Sequence, residues 1–213
     1  MTRALIIMTR IPEEGKTKTR LMPKLTATEC VNLHLCFLKD LSSTTMDLSV
    51  DTFLYYTPKK DTSLLQEIFP HAKGSFLQEG EDLGERMHHG LRTLLKDYDQ
   101  VLLMGSDVPE VTREDLKEAY AMVEKKDAVL GTSEDGGYYL VGLKKECPLL
   151  FKDKIYSTPT VLKEALETLE HVGLSYGLIT ALRDVDYYED LLALNQRLTT
   201  GHTKHLLEEI LDS

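Results

Sequence analysis

No stretch of this sequence approaches the ~20 consecutive apolar residues that cross a bilayer, so no membrane span is expected. The N-terminus, Met1-Thr2-Arg3-Ala4-Leu5-Ile6-Ile7-Met8, has too short an apolar core for a secretory signal and carries no cleavage site. Cysteine is scarce. Cys30, Cys36 and Cys147 are odd in number, show no metal-ligand spacing and form no disulfide framework, which points to a reducing, cytoplasmic setting. There is no Pro/Gly/Ser-rich linker, no low-complexity tract and no repeat at a period of ~20–50 residues. Positive charge is also in short supply. The 25 Lys and Arg face 35 Asp and Glu, and a net charge of −10 argues against nonspecific nucleic-acid binding.

What remains is an ordinary globular composition. The 213 residues, 42% of them hydrophobic, suffice for one sizeable domain over 1–213. The charge is uneven along the chain. Residues 1–24 hold six cations (Arg3, Arg10, Lys16, Lys18, Arg20, Lys24) against Glu13 and Glu14, a net +4, which leaves −14 for the rest. A basic patch at one end of an acidic protein suggests a local anion site.

Strand-like and helix-like patterns alternate. Ala4–Met8, Thr52–Tyr56, Ser75–Gln78, Val101–Met104, Ala128–Gly131, Tyr138–Leu143 and Leu174–Ile179 read as strands. Thr26–Asp47 reads as a long helix opened by a Thr26/Glu29 capping box. Leu64–Phe69, Leu83–Lys96, Thr112–Lys125, Pro159–Val172, Tyr187–Leu198 and His202–Leu211 read as further helices, with Thr112 as an N-cap. This order predicts an α/β fold in three layers, αβα, with helices on both faces of a Rossmann-like, mostly parallel sheet. The Asp135-Gly136-Gly137 turn joins two strands without a helix, so part of the sheet is expected to be antiparallel.

Gly105-Ser106-Asp107-Val108-Pro109 is the most telling segment. It ends a buried apolar strand, and open α/β sheets place ligands at the carboxyl ends of their strands. Pro109 stops the ladder, and Asp107 is a natural hard-oxygen ligand for Mg²⁺ or Mn²⁺. After the first strand, Gly15-Lys16-Thr17 looks like the tail of a phosphate-binding loop, but that motif's first glycine would fall on Arg10. An ATPase reading is therefore rejected. What is left is a glycine-bearing basic loop in which Lys18 and Arg20 would share a side if the backbone were extended. Gly84 allows a ligand or backbone to approach closely, and Arg86 is placed to reach an anion. His88 and His89 point ~100° apart on a helix and are read as surface or packing residues. Asp184 and Asp186 would lie on one side of an extended segment, two like charges that a cation would join. The competing reading is an acidic helix N-terminus formed by Asp186, Glu189 and Asp190. The pairs Tyr55-Tyr56, Tyr138-Tyr139 and Tyr187-Tyr188 are more often packing than stacking platforms.

Taken in order, six motifs carry a resemblance over residues 3–198. They are Lys18-Thr19-Arg20-Leu21, Gly80…Asp82-Leu83-Gly84-Glu85-Arg86-Met87, Gly105-Ser106-Asp107-Val108-Pro109, Asp135-Gly136-Gly137-Tyr138-Tyr139-Leu140-Val141-Gly142-Leu143, Tyr156-Ser157-Thr158 and Asp184-Val185-Asp186…Glu189-Asp190-Leu191. The chain resembles a bacterial family of largely uncharacterised glycosyltransferase-like proteins of the GT-A superfold, the nucleotide-diphospho-sugar transferase type. Its wider relatives are 2-phospho-L-lactate guanylyltransferase and the molybdenum-cofactor nucleotidyltransferases. The resemblance implies that Lys18 and Arg20 neutralise nucleotide phosphates, beside Gly84 and Arg86. It implies that Asp107 holds a divalent metal, Mg²⁺ or Mn²⁺, with Asp186 as second ligand. It also implies that Asp135, Gly136, Gly137 and Tyr156 line the sugar or acceptor pocket. Two departures stand out: Tyr156 replaces the usual Trp, and Glu13-Glu14 replace the usual Pro-Gly.

The expected activity is transfer from a nucleotide-activated donor to a small-molecule acceptor, with no nucleic acid involved. A sugar nucleotide makes it a glycosyltransferase. The alternative is a nucleotidyltransferase acting on an NTP and a phosphorylated acceptor, and a second alternative is a non-catalytic nucleotide-binding domain. Asp107, Lys18 and Asp135 are the expected catalytic residues, Asp135 as general base by position alone.

Overall fold

The computed structural model describes residues 1–211. The strands are β1 (Arg3–Arg10), β2 (Asp51–Thr57), β3 (Gly74–Leu77), β4 (Gln100–Gly105), β5 (Ala128–Ser133), β6 (Tyr138–Leu143) and β7 (Tyr176–Leu182). They form one sheet in the order β3-β2-β1-β4-β6-β5-β7. The helices are α1 (Ala27–Thr45), α2 (Ser63–Ile68), α3 (Leu83–Leu94), α4 (Arg113–Lys125), α5 (Val161–His171), α6 (Tyr188–Arg197) and α7 (His202–Leu211).

β1 is central because six consecutive residues, Ala4 to Thr9, are buried, which only a strand covered on both faces requires. Its side chains alternate between two cores. Leu5 and Ile7 pack with Leu38 and Leu41 of α1, Leu65 of α2, and Leu116 and Val123 of α4. Ala4, Ile6 and Met8 pack with Met87 and Leu91 of α3, and Ala165 and Leu169 of α5. These are the two outer layers expected from the sequence. A third cluster covers the far side of α1, where Leu33 and Phe37 meet Leu21, Leu191 of α6 and Leu207 of α7.

β1 runs parallel to β2 and β4, β2 parallel to β3, and β5 parallel to β7. β6 alone is antiparallel to both neighbours, β4 and β5. The Asp135-Gly136-Gly137 turn makes the reversal. Asp135 Oδ1 accepts from the Gly137 N–H at 3.0 Å. Gly136 sits at φ 91°, and a Cβ there would lie 2.4 Å from the Pro159 carbonyl. The Thr26/Glu29 capping box and the Thr112 N-cap are both present, the latter as a second box with Asp115. Tyr138–Leu143 and His202–Leu211 keep the boundaries read from sequence, and other elements shift by one to three residues. No helix among the described residues is long and apolar enough to cross a membrane.

Candidate active site at the carboxyl edge of the sheet

The topology brings the carboxyl ends of six strands and the amino end of the reversed β6 to a single edge. Two cavities open there. One, of about 540 Å³, is lined by Arg10, Lys16, Lys18, Arg20, His34, Gln78 and Arg86 among others. The second, of about 240 Å³, is lined by Met87, Asp135, Gly137, Tyr138, Tyr156 and Asp184 among others. Met8, Leu83, Gly105, Asp107 and Asp186 belong to both, so the proposed metal ligands stand on the wall between the compartments.

The basic loop reaches that wall by a compact route. Gly15 (φ 75°) turns the chain, and the amides of Lys16 and Thr17 both donate to the Glu13 carbonyl. Lys18 itself adopts φ 49°, and Thr19–Leu21 form a 3-10 turn. The segment is therefore not extended, and the shared-side alternation expected of Lys18 and Arg20 does not apply. The two cations instead take different acids. Lys18 Nζ lies 2.5 Å from Asp107 Oδ1 and donates to the Val185 carbonyl at 2.8 Å, with 7% of its side chain exposed. Its ammonium also lies 5.1 Å from the Phe37 ring centroid. Arg20 lies 2.5 Å from Asp186 Oδ2, with its guanidinium 5.5 Å from the Tyr187 ring centroid.

The loop after β7 is fastened to the same place. The Val185 amide donates to the Asp107 carbonyl at 3.0 Å, and Val185 is fully buried. Asp184 accepts from the Ser133 hydroxyl at 2.9 Å. The helix-start reading of this acidic segment holds for Asp190, and the other two acids face a cavity. Asp184 and Asp186 line the second cavity. Asp190 serves the helix, accepting from the Asp186 and Tyr187 amides at the start of α6.

Charge crowding shows in the titration behaviour. Desolvation opposes ionisation of Asp107, but the charge and hydrogen bond of Lys18, the charge of Arg10 and, in acid where its ring is protonated, that of His34 outweigh it and hold the carboxyl below its usual range. Asp184 is pushed up to about 6, first by desolvation and then by Asp107, Asp135 and Asp186, with the Ser133 hydrogen bond opposing. Carboxylate oxygens gathered on one wall are the donors a hard divalent cation takes. Asp107 and Asp186 would supply two of its oxygens, displacing Lys18 and Arg20. No group of three or more His, Cys, Asp or Glu among the described residues is placed to complete a shell, so ligand oxygens would supply the remainder.

Two glycines expected at the ligand do not face it. Gly84 lines neither cavity. A Cβ there would lie 2.4 Å from the Phe151 carbonyl and 3.1 Å from the Tyr156 ring, so this glycine admits backbone rather than ligand. Gly136 shapes its turn and also lines neither cavity. Arg86 does line the basic cavity, held by donation to the Gly80 carbonyl at 2.9 Å. The Glu13 charge is taken up by Lys16, at 2.6 Å, and by Lys60, so its carboxyl is held down at about 2. The acid that departs from the family pattern is thus neutralised locally. His88 contacts Glu146 at 2.8 Å and stacks on Phe151, as befits a packing residue.

Sequence reasoning missed a polar cluster beneath the basic cavity. Ser106 Oγ donates to Thr9 Oγ1 at 3.0 Å, and His34 Nε2 lies 3.2 Å from both Thr9 Oγ1 and the Arg10 carbonyl. Burial drives His34 down to about 4, so it is neutral at physiological pH. The Gln78 amide donates to the carbonyls of Thr9 and Tyr55, at 3.1 and 2.8 Å. Because both partners are carbonyls, the amide orientation is fixed, and the Gln78 carbonyl is the end left for a ligand. His34 lies on the apolar spacing of α1 and reads as core, and Gln78 has no motif around it.

The chain is similar over nearly its whole length to proteins of known fold. It is 24% identical over 196 residues to 2-phospho-L-lactate guanylyltransferase of Methanocaldococcus infernus, covering 91% of this chain and 85% of that protein. A crystal structure from Desulfovibrio desulfuricans G20, provisionally named a nucleotide-diphospho-sugar transferase, superposes with a TM-score of 0.90. The two are 31% identical, over 98% of this chain and 95% of that one. A Mycobacterium tuberculosis H37Rv protein solved in complex with manganese shares the fold at a TM-score of 0.54. It is 13% identical, over 93% of this chain and 100% of that one. The first two are transferases by name, the class that the sequence resemblance implied. A match over residues 37–158, more than half the chain, completes the comparison: the protein belongs to the family described as an uncharacterized protein conserved in bacteria, DUF2064.

Proposed function

We propose that this protein is a divalent-metal-dependent transferase that takes a nucleotide-activated donor, best read as a glycosyltransferase using a sugar nucleotide. The observation that carries the reading is the meeting of a cationic and a carboxylate-lined cavity along one wall, at Asp107 and Asp186. The donor's phosphates sit in the basic cavity, where Lys18 and Arg20 leave their carboxylates for phosphate oxygens and Arg86 adds a guanidinium. Asp107 and Asp186 hold Mg²⁺ or Mn²⁺. The ion, when bound, stabilises negative charge on the departing diphosphate.

The chain's own groups do the rest. Lys18 and Arg20 lower the cost of charge on the leaving oxygens in a partly buried site. Asp135, Gly137 and Tyr156 line the compartment in which the acceptor hydroxyl waits. In the transfer, that oxygen bonds to the donor's anomeric carbon as the carbon–phosphate-oxygen bond breaks. The diphosphate leaves with the electron pair, and the hydroxyl proton passes to a carboxylate of the cavity wall, Asp135 or Asp184. The likeness to a guanylyltransferase favours a second reading, nucleotidyl transfer from an NTP, in which the same cations would stabilise pyrophosphate.

Asp107→Ala tests the assignment. Calorimetry should show loss of metal-dependent nucleotide binding with the far-UV spectrum unchanged. A variant that binds nucleotide and Mn²⁺ as the parent does overturns it.

A further inference from the structure

We infer that the acceptor taken by this protein is an uncharged hydroxyl compound and not a phosphorylated or carboxylated one. The inference rests on the donor reading above and names the substrate class of its second compartment.

Among the described residues, four carboxylates line the acceptor cavity, those of Asp107, Asp135, Asp184 and Asp186, and no lysine, arginine or histidine does. A phosphate or carboxylate placed there would lose water and gain no cation, which is unfavourable wherever the wall already carries negative charge. The nearest cations do not serve it. Lys18 and Arg20 approach Asp107 and Asp186 from the basic cavity, and neither lines the acceptor side. A divalent ion on Asp107 and Asp186 offsets those two acids and still leaves Asp135 and Asp184 unopposed. Asp135 already accepts the Gly137 amide, and Asp184 the Ser133 hydroxyl. Both retain acceptor capacity for the O–H groups of a neutral ligand.

The remainder of the wall agrees. Tyr138, Tyr156, Met87 and Val161 present ring and aliphatic surface, and Thr158 lines the cavity with its hydroxyl turned to the Ile155 carbonyl. Apolar faces joined to carboxylate acceptors suit a polyol or a sugar ring, whose C–H face packs on tyrosine while its hydroxyls donate. The absent cations amount to rejection by an unpaired charge, a common way of excluding a competitor. Phosphorylated acceptors, as in the second reading of the function, are excluded by the same wall.

Matched pairs of ligands decide the matter. Glycerol and glycerol 3-phosphate, inositol and inositol 1-phosphate, and glucose and glucose 6-phosphate are titrated by saturation-transfer NMR against the full chain. The titrations are run with Mg²⁺, with and without nucleoside diphosphates. The free alcohol of at least one pair should bind, with its phosphate ester at least ten-fold weaker. Thr158→Lys, which puts a cation into the wall, should narrow or invert that preference. Equal or tighter binding of the phosphate esters, or binding of neither form, overturns the inference. Melting curves in the same samples report nucleotide binding separately. Their failure with the alcohol preference intact removes the donor reading and leaves the acceptor assignment standing.

Discussion

At Gly84 the missing side chain matters more than many that are present. The glycine was legible as a special position, but one chain cannot say whether a ligand or the protein's own backbone fills the space. The Phe151 carbonyl fills it, 2.4 Å from where a Cβ would lie. Gly84→Ala should destabilise the fold by ~1–3 kcal/mol through overpacking between α3 and the Phe151 segment. An unchanged denaturation midpoint would contradict this. His34 was illegible as a polar centre because burial, not sequence, makes it unusual. Its folded-state value of about 4 lies below the ordinary 6.5. Between those values the unfolded chain binds a proton that the folded chain refuses. Its contribution is therefore complete above pH 6.5 and lost as pH falls towards 4, on the order of 3 kcal/mol in all. Urea unfolding across that window should show the loss, and His34→Gln should flatten it. An equal slope in the variant assigns the effect to other groups.

Among the elements, the strands and long helices were readable because their signals are local: apolar runs bounded by turn residues, capping boxes and a Gly-Gly reversal. Loop conformation was not. The segment from Gly15 to Leu21 turns on three backbone facts: a φ of 75° at Gly15, one of 49° at Lys18 and a 3-10 turn. No periodicity encodes these. That turn carries Lys18 to Asp107 and Arg20 to Asp186, pairings between loops far apart in sequence, the second spanning 166 residues. The loops thus arrive with each carboxylate proposed to ligate metal already holding a cation. Mn²⁺ alone must displace Lys18 and Arg20, whereas a nucleotide gives those cations new partners. Calorimetry should show Mn²⁺ binding at least ten-fold tighter with nucleotide present, a coupling of about 1.4 kcal/mol or more. Lys18→Met should tighten Mn²⁺ binding in the absence of nucleotide while weakening nucleotide binding. If Mn²⁺ binds equally well with and without nucleotide, the exchange of partners does not occur.

At the scale of the whole molecule, one reversed strand in an otherwise parallel sheet produces the site. β6 returns antiparallel between β4 and β5, so its Asp135-Gly136-Gly137 entry turn sits at the same edge as Asp107 after β4 and Asp184–Asp186 after β7. The Gly-Gly signal gave away the reversal, and the position of Asp107 at a strand tip pointed to the edge. The division into a cationic and a carboxylate-lined compartment came only from the resemblance, because residue spacing does not encode which loops meet across the sheet. On the proposed reading, a nucleotide-activated donor and a divalent ion occupy that edge together. Thermal unfolding against NTPs and sugar nucleotides, each with and without Mg²⁺ or Mn²⁺, tests it most directly. A sugar nucleotide at ~100 times its dissociation constant should stabilise the fold by about 2.7 kcal/mol, and only when metal is present. Stabilisation by NTPs alone would transfer the assignment to nucleotidyl transfer, and no response to any nucleotide with metal would contradict the account.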